Sequence, residues 1–125
     1  MLGTTLKNRY RIDSEIGRGG LGVVYKGFDL LLDRSIAIKV INTNILGSEG
    51  NARLFQEARV IAKLNHPNIV TVYDAGAIEE TTFVVMEFVE GESLHDRPPK
   101  NLEELVTIMH FVCAGLEHAH QHDII

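Results

Sequence analysis

Residues 10–41 divide into short segments in which β-favouring side chains recur, punctuated by glycines and polar connections. Tyr10 and Ile12 mark a first strand over 10–16, and Val23, Val24, Tyr25 and Phe28 mark its hairpin partner over 22–28. A connection over 29–34 carries the apolar triplet Leu30-Leu31-Leu32. The alternation Ser35, Ile36, Ala37, Ile38, Lys39 then predicts a third strand over 35–41. Residues 42–50, rich in Asn, Gly, Ser and Thr, read as a loop. Leu54, Ala58, Ile61 and Leu64 recur at helical spacing, so a helix is expected over 51–64, capped by Ser48 or Asn51 and ended by His66-Pro67-Asn68. Two more strands are expected over 69–73 and 82–89, with a polar turn at 76–80. Residues 90–101 are irregular, and Asn101 with Glu104 has the look of a capping box opening a helix to about 121. That last helix is polar only along a narrow stripe of Glu103, Thr107, His110, Glu117 and Gln121. A helix so apolar around its circumference is expected to be covered on most sides. The expected class is α+β: a five-stranded antiparallel sheet with one packed helix, then a second helix of separate character.

Composition narrows the partners. The chain has 125 residues, enough for one domain with a modest core. Lys and Arg number 12 against 17 Asp and Glu, and the net charge of −5 argues against a nucleic-acid surface, which normally needs a basic patch. The single cysteine, Cys113, has no internal partner for a disulfide, which fits a reducing compartment. No segment resembles a secretory leader, and no apolar run approaches the roughly 20 residues of a membrane span. A cytoplasmic location is the expectation.

The chemistry concentrates between Ile16 and Lys39. Gly17, Gly19 and Gly22 form a G-x-G-x-x-G pattern, with Gly20 as a further glycine. Dinucleotide-binding folds use the same pattern, so the residues after the glycines decide between readings. In those folds the last glycine opens a helix and an acidic residue comes about twenty positions later. Here a strand comes next, and the fixed residue is Lys39 at the end of another strand. The glycines therefore read as the tip of a β-hairpin whose backbone closes over phosphates. This resembles the Gly-rich loop and Ala-x-Lys strand of protein kinases.

Two side chains stand out beside that loop. A lysine on a strand facing a phosphate loop can hold the α- and β-phosphates of ATP as a compact point charge, and this is the reading for Lys39 rather than a solvated strand end. Glu57 lies three, four and seven residues from Leu54, Ile61 and Leu64. A carboxylate within an apolar stripe needs a partner, and an ion pair with Lys39 is expected; the alternative is that the face rotates and Glu57 is solvated. Further on, Phe83-Val84-Val85-Met86-Glu87-Phe88-Val89-Glu90-Gly91 runs from a hydrophobic strand into an acidic, glycine-containing segment, which taken alone is equally an ordinary buried strand and turn.

Taken together, the glycine loop, Ala37-Ile38-Lys39, Glu57, His66-Pro67-Asn68-Ile69-Val70, the segment after Met86 and the long apolar helix keep the order and spacing of a protein kinase. The chain most resembles the bacterial serine/threonine kinases of eukaryotic type. The resemblance implies a kinase N-lobe over 1–89 and the hinge exit with part of a second lobe over 90–125. It implies that Met86 is the gatekeeper, that the backbone of Glu87 and Val89 bonds the adenine edge, and that Ile16, Val24 and Ala37 roof the base. Leu21 at the loop tip departs slightly from the family pattern. The segment 120–125 resembles the lead-in to the family's catalytic loop; the catalytic Asp, the metal-binding Asn and the Asp-Phe-Gly segment are not among these residues.

The expectation is thus an ATP-binding portion of a Ser/Thr kinase, with catalytic Lys39 and Glu57 but no transferase activity of its own. ATP is the expected ligand; Mg2+ and a protein substrate are expected only for a longer form. Self-association through the apolar helix 102–121 is also expected. A non-catalytic kinase-like interaction module is the competing reading, and a nicotinamide-dependent oxidoreductase a distant third. His118 and His122 sit four apart, a spacing that metal sites use, but helix-end histidines without a metal are the better reading. No metal ligand is assigned.

Overall fold

The computed structural model describes residues 1–20 and 22–124, with the side chains of 43–46 outside the description. Leu21 and Ile125 therefore lie outside the described residues. Among the described residues six strands and two helices succeed one another: β1 (Thr5–Leu6), β2 (Tyr10–Arg18), β3 (Gly22–Asp29), β4 (Arg34–Asn42), α1 (Thr43–Ala62), β5 (Val72–Ile78), β6 (Thr81–Glu87) and α2 (Leu102–Gln121). The strands form one antiparallel sheet in the order β1-β2-β3-β4-β6-β5. By contacts the chain falls into two compact units. The first comprises residues 1–63 and 71–88, and the second residues 64–70 and 89–125.

In the first unit, strand alternation gives the sheet two unlike faces. Tyr10, Ile12, Tyr25, Ile36, Ile38, Phe83 and Val85 point to one face and form, with Leu6, a single buried cluster. Each such side chain contributes roughly 1.5–3 kcal/mol by leaving water. The sheet curls around this cluster. The Tyr10 hydroxyl on β2 donates to Asp74 Oδ2 on β5 at 2.6 Å, although three strands separate β2 from β5. Burial first, and the Asp74 carboxylate second, push the Tyr10 hydroxyl well above its ordinary pKa, so it stays protonated and able to donate. Lys7 reaches the same carboxylate at 3.7 Å.

One buried charge organises the β3–β4 connection. Asp29 is 1% exposed and receives two hydrogen bonds from Arg9, Nε and Nη2, each at 2.9 Å. The backbone N–H groups of Leu31 and Leu32 donate to the same carboxylate. The Arg9 hydrogen bond is the chief reason that the Asp29 pKa falls to about 2, against the opposing effect of burial.

The structure corrects several expectations. The sheet has six strands, not five: residues 1–9 contribute β1, whose Leu6 enters the core. Its two residues are too few for periodicity to betray. Residues 43–50 are not a loop but the start of the α1 run, which Gly47 interrupts at φ 70°, ψ −179°. That backbone region is open essentially to glycine alone. The α1 run ends at Ala62 rather than 64. The strand expected over 69–73 begins only at Val72 and runs on to Ile78, through the expected turn. The reversal is confined to Glu79 and Glu80.

In the second unit α2 begins as its sequence suggests, with Asn101 Oδ1 accepting from the Glu104 N–H at 2.8 Å. The segment 64–70 packs on α2. The Asn68 side-chain amide donates to the Phe111 carbonyl at 2.9 Å, and a Cβ on Gly115 would stand 3.2 Å from the Asn68 carbonyl oxygen. The His66, His118 and His122 rings lie in a row, with centroids 5.0 and 4.5 Å apart. Burial, then the neighbouring His122 and His66, lower the His118 pKa. Among the described residues no group of three or more His, Cys, Asp or Glu is arranged to hold a metal. No helix among them is long and apolar enough to cross a membrane.

Candidate functional site

The face of the sheet opposite the buried cluster carries the candidate chemistry, and cross-strand register assembles it. Val24 on β3 lies directly opposite Lys39 on β4, Ala37 opposite Met86 on β6, and Lys39 opposite Val84. Directly opposed residues in an antiparallel pair project to the same side. Val24, Ala37, Lys39, Val84 and Met86 therefore share one face, with Ala37 and Val84 buried and Val24, Lys39 and Met86 half-buried. Lys39 has no carboxylate within 4 Å among the described residues, so its charge is not already neutralised by an ion pair.

The glycines close the β2–β3 hairpin next to that face. Gly17 pairs with Val24, and the Gly19 N–H donates to the Gly22 carbonyl at 2.9 Å. A Cβ at Gly17, Gly19 or Gly20 would meet nothing within 4 Å, so the loop backbone is bare to an incoming anion. Gly22 is needed for a different reason. A Cβ there would stand 2.2 Å from the Val40 carbonyl oxygen, so only glycine lets β3 approach β4 at this point. A register shift between Glu15 and Gly17 leaves Ile16 without a cross-strand partner, and its side chain is half exposed.

At the other end of this face the chain leaves β6. The Glu87 N–H donates to the Thr71 carbonyl at 2.8 Å, and the Glu87 carboxylate accepts from the Thr71 N–H at 3.1 Å. Phe88 closes the first unit, and Val89, exposed, opens the second. The arrangement is a bare backbone loop, Lys39 without an ion-pair partner among the described residues, and a small apolar patch on a single face. It suits a ligand with an anionic end and a flat apolar end.

The protein kinase domain model matches residues 10–125. This chain belongs to the protein kinase family. Relatives of similar sequence are named bacterial serine/threonine kinases. The chain is 40% identical to the probable serine/threonine-protein kinase PknB of Lactococcus lactis subsp. lactis, over 99% of its own length and 21% of that protein. It is 35% identical to the serine/threonine-protein kinase PrkC of Bacillus subtilis, over 100% of its length and 20% of that protein. The crystal structure of the M. tuberculosis PknI kinase domain superposes with a TM-score of 0.79 at 27% identity, over 97% of this chain and 51% of that one. The chain thus spans about a fifth of the curated relatives it matches.

Within this kinase fold one expected contact is not formed. Glu57 does not meet Lys39. Its side chain is 60% exposed and pairs instead with Arg53, one helical turn away, at 3.4 Å. The reason lies in how α1 is turned. Its buried side is centred on Ala58, with Phe55 beside it, and Asn51 Oδ1 accepts from the buried Thr82 hydroxyl of β6 at 2.6 Å. Phe55 and Asn51 rotate the buried face away from Glu57, which lies about 100° of arc from Ala58. A stripe drawn through Leu54, Ile61 and Leu64 alone misses that rotation.

Strand alternation also brings in a residue that the motifs do not contain. Lys26 lies opposite Ala37, on the same face as Val24 and Lys39. Counting two residues on from Val24 is the signal that finds it.

Proposed function

We propose that the first unit is the ATP-holding part of a serine/threonine protein kinase. The observation that carries the reading is the cross-strand pairing of Val24 with Lys39 beside the bare glycine hairpin. Lys39 supplies a compact positive charge for the α- and β-phosphates, and the hairpin at Gly17, Gly19 and Gly20, free of side chains, lets the backbone close on the same anion. Val24 and Ala37, with Ile16 at the rim, give the base an apolar roof. Met86 bounds it from behind. The backbone of Glu87, at the end of the first unit, presents polar groups to the adenine edge.

These residues position a nucleotide; they do not include a general base or a metal ligand for phosphoryl transfer. The 125 residues contain neither a His-Arg-Asp nor an Asp-Phe-Gly sequence. We therefore assign transfer of the γ-phosphate to protein Ser or Thr hydroxyls, with Mg2+, to the longer proteins of this type and not to these residues alone.

The test is a heteronuclear NMR titration of the chain with MgATP. Wild type should bind, and Lys39→Ala should weaken binding on the order of ten- to hundred-fold, the cost of one charge-assisted contact to phosphate. Glu57→Gln should change the affinity less than about two-fold, because an exposed pair with Arg53 contributes little. A well-folded wild type that does not bind MgATP would sink the proposal in favour of an interaction module with the kinase fold.

A further inference from the structure

The exit from β6 is fastened from two sides. On one side Glu87 exchanges two hydrogen bonds with Thr71, through its N–H and its carboxylate. On the other, the Lys26 ammonium of β3 stands 4.7 Å from the centroid of the Phe88 ring. Both partners are half-buried, which strengthens a cation over a ring relative to one in open water. Lys26 has no carboxylate within 4 Å among the described residues, so the ring is the contact its charge makes. Lys26 also lies on the face that carries Val24, Ala37 and Lys39. Two lysines thus stand on this face with different surroundings: Lys39 opposite Val24 near the glycine hairpin, and Lys26 opposite Ala37 near the end of β6.

We propose that Lys26 is a positioning residue for the base of the nucleotide. By holding the Phe88 ring it fixes the end of β6 at Glu87, and with it the Glu87 backbone that meets the adenine edge. Glu87 fixes the same stretch through Thr71. Lys39 serves the phosphates and Lys26 serves the base, the latter without touching it. This inference rests on the nucleotide reading of the site.

The two roles separate by ligand. The 125-residue chain is titrated by NMR with adenosine, with inorganic tripolyphosphate and with MgATP, as wild type, Lys26→Met, Lys26→Arg, Phe88→Leu and Lys39→Ala. Lys26→Met should weaken adenosine and MgATP about three-fold, the size expected for one cation–ring contact, and leave tripolyphosphate unchanged. Phe88→Leu keeps the apolar bulk and removes the ring, and should show the same selective loss. Lys26→Arg keeps a cation over the ring and should restore adenosine binding. Lys39→Ala should show the converse pattern, losing tripolyphosphate and keeping adenosine. Adenosine affinity unchanged in both Lys26→Met and Phe88→Leu, or adenosine and tripolyphosphate lost in equal measure, overturns the role of Lys26 and leaves the nucleotide reading standing. A wild type that binds neither adenosine nor MgATP overturns both.

Discussion

Asp29 shows how much a single side chain can carry in a unit of this size. It is buried, doubly bonded to Arg9, and capped by two backbone N–H groups. Its folded pKa of about 2 lies below the ordinary carboxylate value near 3.9, so its contribution is complete above about pH 4 and is lost as pH falls towards 2. Replacing it leaves Arg9 and two N–H groups without their acceptor, and Asp29→Ala should cost about 3 kcal/mol at neutral pH. Urea unfolding of wild type and variant checks this, and the gap between them should narrow from pH 5 to pH 2. A constant gap across that range would refute the linkage. Sequence alone does not reveal this network, because its members lie twenty positions apart and meet only once β2 and β3 have paired. Lys39 and the glycines stand out because they form patterned motifs, Gly-x-Gly-x-x-Gly and Ala-x-Lys, that are recognisable before β2, β3 and β4 pair. Glu57 is misplaced by its periodicity because the turn of a helix about its axis depends on what the sheet offers it, here Thr82 to Asn51.

Among the elements, α1 departs most from its sequence reading. A polar, glycine-containing stretch is also a helical run, broken where Gly47 takes φ 70° and ψ −179°. An alanine suffers steric strain in that region, so Gly47→Ala should lower stability by about 1–2 kcal/mol. Thermal unfolding measured by circular dichroism tests it, and an unchanged midpoint would mean that the break is not held in place by the rest of the unit. By contrast the start of α2 is legible to the residue. The Asn101 cap is a local device, and local devices survive translation from sequence to structure. Strands β2, β3 and β4 are legible for a similar reason, since alternation records which face is buried. The two-residue β1 leaves no such record.

For the molecule as a whole, the α+β class emerges from the order of its motifs, each of which fixes the neighbourhood of the next. The apolar surface of α2 is the feature that the described residues leave most open. Leu102, Leu105, Val106, Met109, Phe111, Val112 and Leu116 are all exposed. Contiguous apolar surface of this kind seldom stays in water. Sedimentation velocity should show a weight-average mass that rises with protein concentration. A clean monomer across the range would argue against self-association through residues 102–121.

The shortness of β1 has a consequence for what kind of association is open to the sheet. Behind it lies β2, nine residues long and otherwise a free margin of unpaired backbone groups. β1 occupies only its first part, pairing Thr5 with Arg11 and Leu6 with Tyr10, and then Lys7 and Asn8 turn the chain through the left-handed region at φ 52° and 54°. A foreign strand that extends the sheet there finds the start of β2 already paired and only its later part open. These few residues thus shorten the open margin on which cross-β pairing depends. A chain trimmed of its first eight residues would lose Leu6 from the core and uncover the start of β2 as well.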